Sequence, residues 1–201
     1  MNAAHDAVVL AAGGSRRLGR PKQLLVRDGE ALVRRVVRLA AATSPRRLVL
    51  VTGAHREAVI DVVRGLDCDC IQNSDWERGL ASSLQVAAEA LPNRDGSVLV
   101  LGCDQPALEA GHLVSLLSGA RNAASGCAAT AHADGAGIPA VVPGAWLRAL
   151  SPVGDRGLGD RLRALPMASL SLLHAPELGL DLDTAADVAQ ARLRGLLDPA
   201  C

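Results

Sequence analysis

Between Leu10 and Lys22 the chain reads Leu-Ala-Ala-Gly-Gly-Ser-Arg-Arg-Leu-Gly-Arg-Pro-Lys. Glycines in such a run leave backbone N–H groups free to turn toward anionic oxygens, and a cation at the rim completes a cradle for phosphate. Lys22 is the only lysine in the 201 residues; the rest of the Lys and Arg complement is arginine. Lysine is a compact ammonium on a thin stem, and arginine is a broad planar fork, so one does not freely replace the other at a phosphate. A second stretch, Leu101-Gly102-Cys103-Asp104-Gln105-Pro106, releases an aspartate from the end of an apolar run. Carboxylate oxygen is what a hard cation such as magnesium takes, and such cations travel with phosphates. Taken alone, Asp104 reads more readily as a cap or turn former.

Further along, Asn73 to Leu84 carries Gly79, where a ligand can approach the backbone, and Ser82 and Ser83, hydroxyl donors at a helix start. Trp76 within it also reads as a core filler, and Ser83 as a helix cap. Asp181 and Asp183 share one face if their segment is extended. Asp183 or Thr184 as a helix cap is the plain alternative there. Five histidines are scattered without metal-ligand spacing.

The surrounding sequence supplies elements to position these groups. Apolar runs at 6–12, 47–52, 68–72, 97–102, 127–131, 138–142 and 170–174 read as strands. Helical spacing marks 31–43, 56–64, 80–91, 109–117, 145–150 and 159–165, and Thr184 caps a last helix ending near 197. Alternation of strands and helices predicts an α/β fold, three-layer and Rossmann-like, with a mostly parallel sheet covered by helices on both faces. Ligands in such sheets bind beyond the carboxyl ends of the strands. The glycine loop, Asn73 and Asp104 all fall at predicted strand ends.

Length fits a single domain over 1–201. The formal net charge is zero, and Trp76 and Trp146 are the only aromatic residues of the Phe, Tyr and Trp set. Neither nucleic acid nor an anionic membrane is therefore an expected partner. No basic leader and no spanning apolar run is present, and the five cysteines form no C-x-x-C pair. A cytoplasmic protein with reduced thiols is the expectation.

Two familiar phosphate motifs do not fit the loop. A Walker A loop ends in Gly-Lys-Ser/Thr, whereas here Gly19-Arg20-Pro21-Lys22 stands. The dinucleotide fingerprint needs G-x-G-x-x-G and a later acidic residue, whereas the glycines here are 13, 14 and 19. The loop instead resembles the pattern L-A-A-G-x-S-x-R-M-G-x-x-K of the MobA-like nucleotidyltransferase superfamily, with Leu18 in place of Met. Asn73 to Leu84 resembles the N-P-x-W-x-x-G-x-x-x-S-L segment of its molybdenum-cofactor cytidylyltransferase branch, with Ser74 for Pro. Gly137-Ile138-Pro139 and Gly154-Asp155-Arg156-Gly157 stand where that branch has G-H-P and G-D-x-G-A-R. Asp181 to Asp187 resembles its D-I-D-T-P-E-D, with Ala185-Ala186 for Pro-Glu.

The resemblance implies a magnesium-dependent nucleotidyltransferase. It places Leu10, Ala11, Ala12, Gly13, Gly14, Ser15, Gly19 and Lys22, with Asn73, Gly79, Ser82 and Ser83, at the nucleotide. Lys22, Arg17 and Asp104 would carry catalysis, with Asp104 on the metal and Asp181 or Asp183 completing it. Gly137, Pro139 and Asp155 would face a phosphorylated acceptor. Leu-Ala-Ala-Gly goes with pyrimidine nucleotides in this family and Leu-Ala-Gly-Gly with GTP, so Ala12 favours CTP. The implied reaction moves CMP onto the phosphate of a molybdopterin-type acceptor and releases pyrophosphate, the product passing to a recipient molybdoenzyme. Two alternatives stay open: transfer to a sugar phosphate or another small phosphorylated acceptor, and a non-catalytic carrier of molybdenum cofactor.

Overall fold

The computed structural model describes residues 4–91, 96–133, 135–149 and 158–199. Strand β1 (His5–Ala11) is buried along its whole length, as its run of Ala, Val and Leu requires. Its side chains alternate between two layers. Ala7, Val9 and Ala11 enter one apolar cluster, and Val8 and Leu10 the other.

After β1 come a short hairpin of β2 (Val26–Arg27) and β3 (Glu30–Ala31), helix α1 (Leu32–Ala41), β4 (Leu48–Thr52), α2 (Arg56–Val63) and β5 (Asp69–Gln72). Then follow α3 (Leu80–Ala90), β6 (Ser97–Gly102), α4 (Ala110–Asn122), β7 (Cys127–His132) and β8 (Gly135–Pro143). The chain continues through α5 (Gly144–Arg148), α6 (Leu158–Arg163), β9 (Leu170–Leu173) and α7 (Ala185–Leu193). Helices α1, α2 and α4 fill the first cluster with Val33, Val36, Val37, Val59, Leu113 and Leu116. Helices α3, α5 and α6 fill the second with Leu84, Ala87, Leu147, Leu158 and Leu162. The sheet thus lies between two helical layers.

The sheet order is β5-β4-β1-β6-β8-β7-β9. Strands β5, β4, β1 and β6 are mutually parallel, so their carboxyl ends share one edge. Strand β8 runs antiparallel to both β6 and β7, and β9 is parallel to β7. The glycine loop leaves that shared edge after β1, Asn73 after β5 and Asp104 after β6, as the strand pattern anticipated.

Boundaries differ in instructive places. Helix α4 runs to Asn122 rather than stopping at 117, because Leu116 and Ala120 continue the buried stripe. Helix α7 stops at Leu193, and Leu197 turns back into a third small cluster with Leu25, Leu32, Leu180 and Leu182. The β2–β3 hairpin has no counterpart in the sequence reading. Its turn, Asp28-Gly29, has positive φ at both positions (54° and 75°), which an Asp-Gly pair accommodates. The Asp198 carboxylate accepts the N–H groups of Asp28 at 2.8 Å and Gly29 at 2.9 Å, fastening the segment after α7 to the hairpin once that helix has ended. No helix among the described residues is long and apolar enough to cross a membrane.

Candidate active site

The loop after β1 is shaped from behind. Gln23 is buried, and its amide donates to the carbonyl oxygens of Ala11 at 3.1 Å and Gly13 at 2.6 Å. Ser15 sits at φ 50°, where its hydroxyl accepts the Lys22 N–H at 3.1 Å and donates to Gln23 Oε1 at 3.4 Å. The Ser15 carbonyl accepts the N–H groups of Leu18 at 3.1 Å and Gly19 at 3.0 Å. These bonds fix the loop and leave the backbone N–H groups of Gly13, Gly14, Ser15, Arg16 and Arg17 with no acceptor among the described residues. Successive unpaired N–H groups at a strand's end form a nest for an anion.

Lys22 reaches across this loop. Its ammonium donates to Asp104 Oδ2 at 2.7 Å and to Asp183 Oδ1 at 2.9 Å. Arg17 Nη2 donates to the second Asp183 oxygen, Oδ2, at 2.7 Å. Asp183 arrives here because Leu182 is fully buried and its N–H donates to the Asp104 carbonyl at 3.0 Å. Thr184, not Asp183, caps α7: its hydroxyl accepts the Asp187 N–H at 3.3 Å, and its own N–H donates to Asp187 Oδ2 at 2.7 Å. The Asp183 carboxylate is thereby left for the two cations.

The charges settle accordingly. Burial alone would lower the Lys22 pKa, but Asp104 and Asp183 outweigh it and hold the ammonium well above its usual range. Burial lifts Asp183 less than Lys22 and Arg17 depress it, so it lies below the usual carboxylate range. Asp181 moves the other way: burial and then the charge of Asp104 push it up, against a hydrogen bond from Gln105. A carboxyl with a raised folded-state pKa destabilises the fold when ionised, and that cost fades as pH falls through the raised value. Asp181→Asn is therefore expected to melt at a higher temperature than the parent at about pH 7, with the gain shrinking toward about pH 4. Parallel melting curves check this; equal melting at neutral pH would contradict it.

Arg17, Lys22, Asp104 and Asp183 line one cavity of about 440 Å³. The glycine loop with Lys22 and Gln23 forms one side, and Trp76, Glu77, Gly79, Leu80 and Ser83 form another. Gly102, Cys103, Asp104 and Ile138 make the floor, closed by Leu182 and Asp183. Arg16 lies over the Trp76 ring, 5.4 Å from its centroid, and pairs with Glu77. Cys103 donates its thiol to the Leu10 carbonyl at 3.2 Å, and burial with the neighbouring Asp104 charge keeps it protonated.

Residues 7–169 match the model of the MobA-like NTP transferase domain. The chain belongs to the MobA-like NTP transferase family. It is similar to "Nicotine blue oxidoreductase" of Paenarthrobacter nicotinovorans, 31% identical over 186 residues, covering 88% of this chain and 91% of the relative. A "Bifunctional protein GlmU" of Clavibacter sepedonicus is 39% identical over 120 residues, covering 58% of this chain but 24% of the relative. Among solved structures, a nucleotidyl transferase from Methanothermobacter thermautotroptrophicus superposes with TM-score 0.79 at 23% identity, over 96% of this chain and 98% of that one. The homolog of Rv0371c from Mycobacterium sp. strain JC1 superposes with TM-score 0.73 at 29% identity, over 96% of each chain.

In this MobA-like chain the sequence-assigned residues fall into two groups. Leu10, Ala12, Gly13, Gly14, Ser15, Arg17, Lys22, Gly79, Ser83, Asp104 and Asp183 line the cavity. Ala11, Gly19, Asn73, Ser82 and Asp181 are not among its lining residues. Asn73 instead works from beneath: its buried amide donates to Ser82 Oγ at 2.8 Å and Ser83 Oγ at 3.0 Å. Ser82 spends its own proton on the Gly79 and Asp75 carbonyls, at 2.8 and 3.1 Å. On the acceptor side, Ile138 lines the cavity, whereas Gly137 and Pro139 do not. Gly137 backs onto the His132 ring, and the Pro139 carbonyl accepts the Thr130 hydroxyl at 2.9 Å. Asp155 lies outside the described residues. Gln23 and Gly102 were missed by sequence reasoning; a glutamine directly after the lone lysine was the available signal for the first.

The carboxylates also bear on magnesium. Among the described residues no three His, Cys, Asp or Glu side chains converge as an all-protein metal cage. Magnesium, however, takes one or two carboxylates and completes its shell with phosphate oxygens and water. Asp104 and Asp183 share Lys22 as a counter-ion, Asp183 pairs with Arg17 as well, and Asp181 feels the Asp104 charge. A donor set of that kind fits a phosphate-bound magnesium.

Proposed function

We propose that this chain transfers CMP from CTP to the phosphate of a molybdopterin-type acceptor, releasing pyrophosphate. The observation that carries the reading is the meeting of five loop N–H groups, without an acceptor among the described residues, with the Lys22–Asp104 pair around one cavity. Triphosphate is the ligand such a nest and its cations suit.

The chain's residues account for the chemistry by position and charge. The loop amides and Lys22 would hold the triphosphate, and Arg17 would meet the leaving pyrophosphate at the exposed rim. Asp104, with Asp183 or Asp181, would hold magnesium, which supplies charge neutralisation where acceptor and α-phosphate meet. An acceptor phosphate is ionised near neutral pH, so the attacking oxygen needs alignment rather than a general base. Ala12 supports the cytidine preference: it is buried, lines the cavity and is backed by Gly53, so its methyl has nowhere to retreat from a larger base.

Gly102 keeps the floor open for Asp104. A β-carbon there would lie 2.6 Å from Asp104 Oδ1. Gly102→Ala is expected to rotate that carboxylate away and cut turnover about a hundredfold, with little change in melting temperature. Unchanged turnover would remove Asp104 from the reacting centre.

The test of the proposal is pyrophosphate release with CTP, GTP, ATP and UTP, each against molybdopterin and a panel of sugar phosphates. The expected result is release with CTP and molybdopterin. GTP preference would overturn the Ala12 argument, and release only with a sugar phosphate would overturn the acceptor. No release with any nucleotide would favour a cofactor carrier, or the redox activity named for the Paenarthrobacter relative. Ile138 gives a non-molybdopterin acceptor its foothold, since an apolar side chain stands here where the cytidylyltransferase pattern has histidine.

A further inference from the structure

The Lys22 ammonium does not lie among the unpaired loop amides, where a purely phosphate-binding lysine would wait. It lies between Asp104 and Asp183, at 2.7 and 2.9 Å from one oxygen of each. Those are carboxylates that a phosphate-bound divalent cation would take. An ammonium seated on these carboxylates competes with a divalent cation there, because the two positive charges repel at such short range and draw on the same pair of anions. The side chain nonetheless has room to swing: it lines the cavity and ends a flexible four-carbon stem. When it leaves, Arg17 still holds Asp183 through the second oxygen, so the segment carrying Asp183 stays in place.

We propose that Lys22 has two stations and that its exchange couples cation binding to nucleotide binding. In the free protein it is the resident counter-ion of Asp104 and Asp183 and keeps divalent cations out. When a nucleoside triphosphate enters, the ammonium moves to phosphate and yields the carboxylates. Cation and nucleotide therefore bind as a pair, each raising the affinity for the other by the same factor. This rests on the proposed nucleotide reading for the second station alone. The first station is a property of the free protein.

The coupling has a signature that a merely structural lysine lacks: removing the ammonium should improve cation binding when no nucleotide is present. Free Mn²⁺, followed by its electron paramagnetic resonance signal, is the probe. Lys22→Met is expected to bind Mn²⁺ about tenfold more tightly than the parent without nucleotide. Lys22→Arg, which keeps a cation in place, is expected to bind no more tightly than the parent. The double variant Lys22→Met/Asp104→Asn should lose the gain. A non-hydrolysable CTP analogue, whose phosphate oxygens ligate Mn²⁺ in either protein, should tighten Mn²⁺ binding by about tenfold more in the parent than in Lys22→Met.

If Lys22→Met folds poorly without metal, melting curves across a Mn²⁺ titration replace the resonance measurement. A larger upward shift than in the parent supports the exchange, and an equal or smaller shift overturns it. Mn²⁺ binding by Lys22→Met that is no tighter than the parent's overturns it likewise. Should the nucleotide-free pattern hold while another triphosphate replaces CTP in the coupling, the exchange stands and the cytidylyl reading falls.

Discussion

Lys22→Arg is expected to lower turnover by about two to three orders of magnitude while the protein melts at or above its normal temperature. Both halves of that result follow from geometry. The Lys22 side chain is mostly buried between Asp104 and Asp183. A guanidinium there can bridge the two carboxylates with several N–H donors, which keeps or improves the folded state. The same bridging makes it a poor traveller. A planar fork held by two carboxylates does not hand a point charge to a phosphate and return. Turnover, nucleotide KM and melting temperature, measured together, separate this from a folding defect. Near-normal turnover would remove Lys22 from the chemistry altogether.

Gly53→Ala is expected to damage fold and site together. A β-carbon at Gly53 would lie 2.5 Å from the Ala12 carbonyl oxygen and 2.9 Å from the Ala12 methyl. Neither is the end of a flexible side chain, so one backbone must move. The junction is also where the Ala54 N–H donates to that same carbonyl at 3.1 Å, tying the end of β4 to the end of β1. Overpacking of this kind costs about 1–3 kcal/mol. The displaced atom belongs to the first residue of the glycine loop, so nucleotide KM is expected to rise further than the stability loss alone explains. Urea unfolding and a KM measurement at a temperature where the variant remains folded check the two parts. A normal urea midpoint would show that the junction yields without cost.

The parts of this molecule that the sequence revealed are those with a short-range cause. Strand β1 is an unbroken apolar run, and α1 carries its buried residues at helical spacing. Because β1, β5 and β6 are parallel, polar residues just after each had to share an edge, and so the loop, Asn73 and Asp104 were legible as neighbours. Contacts that bridge distant segments were not. Arg17 and Asp183 are separated by 166 residues, and nothing local to either announces the other. Asp183 reads as a helix cap until Thr184 is seen to take that work through Asp187. Asn73 was placed at the nucleotide by the family resemblance, and its position at a strand end agreed with that. Its amide is instead turned inward, onto two serine hydroxyls at the start of α3. The Asp28-Gly29 hairpin did have a local signal, but its strands are two residues each, too short for alternation to register.

The central claim is that the loop after β1 receives a triphosphate on its unpaired amides. Amide resonances of Gly13, Gly14, Ser15, Arg16 and Arg17, followed while CTP and magnesium are added, test it directly. The expected result is a saturable shift of these five amides together, with the amides of α4 on the far side of the sheet unmoved. Saturation of the protein by CTP with those five resonances unchanged would contradict it.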